Sequence, residues 1–320
     1  MKRIDLFLAV FVLGIFIQPV HAQQYPTKPI RMIIPFAPGG GTDLIGRITA
    51  QKLTEALGQQ VMVDNRPGAG GTLGTVLGLR APADGYTFTM ISSSYTVNPS
   101  LYKMTFDPIN DITPVVQLSE GAMVLVVHPS LPVKTAKDLV ALAKQKPDGL
   151  AFASAGHGSI TQLATELLKD LAGVQMLHVA YKGTGPAVTD TISGQTQVLF
   201  GAVATTLPHI KSKRLKALGV STLKRIDALP DLPTVAESGV PGYESISSYG
   251  LIAPKGLPKP IVDRINTETN RILKSKDLLD RLADDGVTAV GGTPEMFMAL
   301  IKKNIETWGR VVRKTGIKNE

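Results

Sequence analysis

The chain has 320 residues, 43% of them hydrophobic and 19% charged, a globular composition long enough for about two domains. Its 31 Gly and 22 Pro follow no fixed period, no stretch beyond the N-terminus stays apolar for the ~18 residues of a membrane span, and Cys is absent. Collagen, a multi-span membrane protein, a disulfide framework, a thiolate metal site and a cysteine nucleophile are excluded. The formal charge of +8 favours anionic partners, while 5% aromatic content and dispersed basic residues speak against nucleic acid.

Lys2 and Arg3 precede an apolar run from Leu6 to Ile17, which ends at Pro19-Val20-His21-Ala22. This is the pattern of a secretory signal peptide over residues 1–22, with Val20 and Ala22 as the small residues before a cut after Ala22. The run is short for a membrane anchor, and the lack of Cys excludes a lipoprotein. Losing Lys2, Arg3 and Asp5 leaves the exported chain at +7.

Pro29 to Pro35 reads as a strand, followed by Gly39-Gly40-Gly41 and a helix with Thr42 as N-cap, Asp43 in its first turn, and Ile45, Ile48, Leu53 and Leu57 on one face. Gly58 closes it. Val61 to Asp64 and Gly85 to Ile91 are further strands, and the five glycines of Gly68 to Gly78 predict an irregular start between them. The grammar repeats with a strand at Met123 to His128, a helix capped by Thr135 and Asp138, a strand at Leu150 to Ala153, and a helix opened by a Ser159/Gln162 capping box. Then come a strand at Met176 to Tyr181, a short helix between Pro186 and Gly194, and strands at Val198 to Val203 and Leu215 to Val220. Pro108 to Pro114 and Pro241 to Pro260 read as breaks, and long helices follow at Ile261 to Lys274 and Thr293 to Arg313. Alternating strands and helices predict a parallel, doubly wound sheet in two lobes, with the C-terminal helices packed on the first.

In such sheets ligands bind beyond the strand ends, where helix N-termini offer backbone donors and partial positive charge. The loop from Pro35 to Asp43 and its counterpart Ser154-Ala155-Gly156-His157-Gly158-Ser159 together make a clamp for a small carboxylate; either alone is a weak signal, and a plain tight turn is the other reading of the first. The first loop lacks the Gly-Lys-Ser/Thr end of a P-loop. Gly68 to Gly74 has Leu73 where a dinucleotide fingerprint needs Gly. No nucleophile elbow or His-Glu-x-x-His string occurs, so no enzyme, cofactor or metal is expected. Asp43, Asp64, Asp84 and Asp190 sit at helix starts or turns, where carboxylates complement N–H groups.

The strings Pro29-Ile30-Arg31, Pro35-Phe36-Ala37-Pro38-Gly39-Gly40-Gly41-Thr42-Asp43, Asp64-Asn65-Arg66-Pro67-Gly68-Ala69-Gly70-Gly71, Pro82-Ala83-Asp84-Gly85-Tyr86-Thr87, Ala153 to Ser159, Tyr181-Lys182-Gly183, Ala236-Glu237-Ser238-Gly239 and Gly291-Gly292-Thr293-Pro294-Glu295 run through nearly the whole exported chain. In these it resembles the Bug (TctC) family of periplasmic solute-binding receptors of tripartite tricarboxylate transport systems. The resemblance implies an α/β, two-lobed periplasmic binding protein (Venus flytrap), each lobe a doubly wound mixed sheet flanked by helices. Lobe 1 is expected at 25–125 and 250–320, lobe 2 at 126–249, the chain crossing near 122–128 and 247–253. It also implies a periplasmic monomer that holds a small organic anion, uses no cofactor, and delivers to transporter membrane subunits; the alternative is a sensing receptor acting on a signalling partner.

The candidate ligand-binding set is Phe36, Pro38, Gly39, Gly40, Gly41, Thr42, Asp43, Ser92, Ser93, Ser154, Ala155, Gly156, His157, Gly158, Ser159, Tyr181, Gly201 and Ala202. Many relatives carry a polar pair at Gly201-Ala202 and His at Gln162. These departures imply a cleft that is less polar or roomier there.

Overall fold

The computed structural model describes residues 25–147 and 149–317, so the signal peptide expected over residues 1–22 and the cut expected after Ala22 lie outside the described residues. In chain order the elements are β1 (Ile30–Ile34), α1 (Gly41–Leu57), β2 (Val61–Asn65), α2 (Thr72–Leu79), β3 (Thr87–Ser92), α3 (Ser94–Val97), β4 (Ile112–Val127), α4 (Ala136–Gln145), β5 (Ala151–Ser154) and α5 (Ile160–Ala172). There follow β6 (Leu177–Ala180), α6 (Thr184–Ile192), β7 (Val198–Ala202), α7 (Val203–Lys211), β8 (Lys216–Val220), β9 (Ile246–Pro254), α8 (Lys259–Ile272), α9 (Lys276–Asp284), β10 (Val287–Ala289) and α10 (Pro294–Thr315).

The strands run β2-β1-β3-β9-β4-β7-β5-β6, with β8 and β10 also on β4. Pairs within each lobe, β1 with β2 and β3, and β5 with β6 and β7, are parallel. Contacts made by β4 and β9 are antiparallel, which corrects the purely parallel sheet and agrees with a mixed one. The cause is connectivity: β4 carries the chain out of the first lobe and β9 brings it back, so they run opposite ways. Along β4, Ile112 to Ala122 pairs with β9, and Met123 to Val127 pairs with β7.

Of the crossing strands, β4 begins in a segment that its Pro and Gly content marked as a break, and β9 lies wholly within the other. Pro114 sits in β4 where the register shifts before Val116, a bulge that already lacks a ladder donor and so accommodates proline. Burial overrides the local signal. Val124, Leu125, Val126 and Val127 are all 0% exposed, each aliphatic side chain contributing about 1.5–3 kcal/mol on full burial.

Helices cover both faces. In the first lobe Ile45 and Leu53 of α1, Val262 and Ile265 of α8, and Leu278 and Leu282 of α9 pack on Met32, Phe88 and Leu251. In the second, Leu139 and Leu168 cover Leu125, Phe152 and Phe200 on one face, and Ala187, Val188 and Val203 cover Val124 and Leu199 on the other. Helix α10 begins on the first lobe, with Phe297 and Ile301 against Ile91 and Ile252, and ends with Val312 against Leu163 of α5. It therefore touches both lobes, beyond the single-lobe return read from its pattern. Helix α7 begins at Val203, cutting short the strand expected through that residue, and carries Pro208 inside it, which hid it from a reading by helix propensity. Among the described residues no helix is long and apolar enough to cross a membrane, and no cluster of three or more His, Cys, Asp or Glu could hold a metal.

Candidate functional site

The strand-to-helix edges of both lobes meet in one cleft. Phe36, Gly40, Gly41, Thr42, Ser92 and Ser94 line it from the first lobe; Ala155, Ser159, Ile160, Thr161, Thr184 and Ala202 face them; Met123, Ser247 and Tyr249 of the crossing strands floor it. None of these side chains is charged. The N-termini of α1, α5, α6 and α7 all open here, and each leaves N–H groups without a helical carbonyl. The lobes meet so closely that about 20 Å³ remains, room for a water molecule.

The first loop is held from behind by Asp43. The N-cap of α1 is Gly40, in extended conformation, rather than Thr42. Asp43 is 2% exposed; its Oδ2 accepts from Gly39 N at 3.0 Å and Arg47 Nε at 2.9 Å, and its Oδ1 from Asn65 Nδ2 at 2.8 Å. Burial works to raise its pKa, but the bonds from Arg47, Gly39 and Asn65 outweigh it and hold the carboxyl below its ordinary value. Asp43 is thus an anion at neutral pH that fixes the loop, leaving the Gly41 and Thr42 amides at the open end of the helix. Glycine is required at 41 by space: a β-carbon there would lie 2.5 Å from the Tyr249 hydroxyl and 3.0 Å from Ala202 Cβ.

The second loop spends most of its amides on itself. Ala155 N donates to Thr161 Oγ1 at 2.8 Å, Gly156 N to Ser154 Oγ at 3.1 Å, and Gly158 N to Gln162 Oε1 at 2.7 Å. Ser159 caps α5 by accepting from Gln162 N, while the Gln162 side chain reaches Gly158 instead of the Ser159 amide expected of a full capping box. Ile160 N differs, donating across the cleft to Ser94 Oγ at 3.1 Å, a bond that a ligand oxygen could replace. Gly158 has φ +73°, and a β-carbon there would meet Asn98 Oδ1 at 2.6 Å, so this glycine also permits close approach of the lobes.

Of the residues expected from sequence, Phe36, Gly40, Gly41, Thr42, Ser92, Ala155, Ser159 and Ala202 line the cleft, and the others stand behind it. Ser93 ties β3 to the return strand, accepting from Ser248 N at 2.8 Å. The His157 carbonyl accepts from Tyr102 OH of the first lobe at 2.8 Å while its ring lies edge-on to His178 at 4.8 Å. Tyr181 OH donates to Asp190 Oδ2 at 2.8 Å, and burial with Asp190 pushes the phenol up to about 12. Gly201 lets Thr206 fold back over β7, its β-carbon position lying 2.6 Å from Thr206 Cγ2. Pro38, Gly39, Ser154 and Gly156 shape the two loops. Gln162 also lies behind the cleft, whereas Ala202 places an apolar methyl in it.

Sequence reasoning missed Ser94, Met123, Ile160, Thr161, Thr184, Ser247 and Tyr249 as cleft residues. Extending the strand-to-helix rule to Lys182-Gly183-Thr184 would have found Thr184; Met123, Ser247 and Tyr249 arrive through long-range register and leave no local mark. The glycine-rich stretch after β2 also finds its place. Asn98 Nδ2 donates to Gly70 O at 3.0 Å, and a β-carbon on Gly70 would collide with the His157 carbonyl, so the stretch seats the opposite loop.

Residues 45–317 match the family model described as tripartite tricarboxylate transporter family receptor. BugT of Bordetella pertussis is 38% identical over 316 residues, covering 96% of this chain and 97% of that protein. A Rhodopseudomonas palustris protein solved with adipate superposes with a TM-score of 0.89 at 34% identity, over 92% of this chain and 99% of the other. MatC from the same species, solved with bound malate, gives 0.86 at 30% identity, over 90% and 100%.

Proposed function

From the premise that this chain belongs to the tripartite tricarboxylate transporter family of receptors, which are periplasmic solute-binding proteins and not enzymes, we propose that it captures a small organic carboxylate between its lobes and delivers it to transporter membrane subunits. The observation that carries this reading is the convergence of four helix N-termini on one cleft lined without a charged side chain. Unpaired amides and aligned dipoles stabilise a carboxylate there without an ion pair. The adipate and malate in the two R. palustris structures support the ligand class.

The proposal includes a monomer exported after cleavage at Ala22, with lobes at 25–125 with 250–320 and at 126–249. Gly41, Thr42, Ile160, Thr161 and the Thr184 hydroxyl are the donors assigned to the ligand. A carboxylate needs more room than the closed cleft offers, so the lobes part to admit it, and its affinity for both edges then draws them together around it in place of the direct bond from Ile160 N to Ser94 Oγ.

A thermal-shift screen of the exported chain tests this with mono-, di- and tricarboxylates, including adipate and malate, against sugars, amines and neutral amides. A carboxylate at 100 times its Kd raises stability by about 2.7 kcal/mol. A shift given by sugars or amines and by no carboxylate would overturn the reading.

A further inference from the structure

We infer that His178 is a positioning residue for ligand capture, holding the backbone of Gly156 and Gly158 through Ser154 on one ring nitrogen and Gln162 on the other. The inference rests on the proposal that Ile160 and Thr161, which the second loop leads into, hold the carboxylate. His178 lies on β6 and does not line the cleft.

The hydrogen bonds determine its tautomer. Gly158 N donates to Gln162 Oε1 at 2.7 Å, which only the amide oxygen can accept, so the amide orientation is fixed. Gln162 Nε2 then faces His178 Nδ1 at 3.2 Å. An amide nitrogen donates only, so Nδ1 accepts and the imidazole proton sits on Nε2. That proton goes to Ser154 Oγ at 2.6 Å. The same oxygen accepts from Gly156 N at 3.1 Å and donates to Gly156 O at 3.2 Å, filling its capacity of two acceptances and one donation.

A second proton, on Nδ1, would set two donors against each other. Turning the Gln162 amide to relieve this would point its NH2 group at the Gly158 N–H, a second donor clash. The network therefore admits one protonation state. The ring stacks on Phe152 of β5 at 4.7 Å, with the edge of His157 at 4.8 Å. His178 faces a groove apart from the cleft, and the charged groups that line this groove come from α5: Lys169, paired with Glu166 at 2.8 Å, and Asp170. Burial, His157 and Lys169 together push His178 down to about 4, so the neutral form holds through the physiological range.

Nitrogen-15 NMR of the exported chain reads this directly. The expected result is a His178 ring protonated on Nε2 at pH 7, titrating near 4, with the Gly156 and Gly158 amide signals moving at the same midpoint. In Gln162→Glu, one carboxylate oxygen accepts from Gly158 N and the other from a protonated Nδ1, so the His178 midpoint should rise by at least about one unit. His178→Phe should speed hydrogen exchange at both glycine amides about tenfold and weaken adipate or malate binding about tenfold at pH 7. A ring protonated on Nδ1, or glycine amides indifferent to its titration, overturns the inference, as does unchanged carboxylate affinity in His178→Phe. If wild type binds neither adipate nor malate while the NMR results hold, the positioning of the loop stands and the carboxylate reading is what fails.

Discussion

The hydroxyl of Tyr249 stands 2.5 Å from where a β-carbon on Gly41 would lie, so the return strand β9 presses directly on the first turn of α1. Tyr249 is 5% exposed, and burial raises its phenol pKa despite a bond from Ser247. One residue of a crossing strand thus packs against the helix end assigned to the ligand.

Gly41→Ala is expected to destabilise by about 1–3 kcal/mol through overpacking, although alanine ordinarily improves a helix. Tyr249→Phe leaves ring carbon Cζ 3.4 Å from the new methyl, so the double variant should regain about half of the loss. Denaturant midpoints of the four proteins give the coupling, and simple additivity would contradict the contact.

Tyr102 tests closure from outside the cleft lining. Its hydroxyl donates to the His157 carbonyl at 2.8 Å, bridging the lobes. Losing one neutral hydrogen bond costs about 1 kcal/mol, so Tyr102→Phe should lower the closed-to-open ratio about fivefold. Affinity for adipate or malate, whichever binds, should fall by up to that factor in calorimetry, with a larger radius of gyration in X-ray scattering. Unchanged affinity and size would remove this bond from the closing mechanism.

Acid should unfold the protein in two stages. The ordinary value for His178 is 6.5 and its folded value is about 4, so between these the unfolded chain holds a proton that the folded chain lacks. Stability therefore declines as pH falls through that window, by at most about 3 kcal/mol and less after solvent screening. Asp43 acts lower: its carboxyl is held below 3.8, so its contribution is present above 3.8 and lost as pH falls through its folded value. Urea unfolding from pH 7 to 3 should show both stages, the upper one missing in His178→Phe. A flat curve between 6.5 and 4 would contradict the His178 assignment.

The loops were legible because helix starts are locally encoded: glycine after a strand, Asp43 in a first turn, Ser159 before an apolar stripe. The Thr135 capping box appears as read, with Asp138 accepting from Thr135 N. What was illegible depends on partners far away. Pro114 reads as part of a break until the bulge against β9 is known, and so does Gly250, within Pro241 to Pro260, until the Phe297 ring is seen filling the space of its missing side chain. The same limit explains the amides of Gly156 and Gly158, which look free in sequence and are taken by Ser154 and Gln162.

Helix α10 supplies an internal reporter of lobe movement. Trp308 is the chain's one tryptophan, packed against the second-lobe core and beside the Val97, Leu163 and Val312 cluster. Earlier on the same helix, Phe297 and Ile301 are buried against Ile91, Tyr95 and Ile252 of the first lobe, and that anchoring keeps the helix with the first lobe when the second moves. Parting the lobes draws Leu163 away from Val97 and Val312, admits water to the indole and shifts its emission to the red; ligand-driven closure shifts it back. Titration with adipate or malate, whichever calorimetry shows to bind, should give a blue shift with the same Kd. Trp308→Phe should abolish the signal, keep binding within a fewfold and cost about 1–2 kcal/mol of stability, since a smaller ring still fills part of the site. Saturating ligand that leaves the emission unchanged would mean that α10 does not sense closure, and the second lobe would have to move about an axis that spares the contact between Leu163 and Val312.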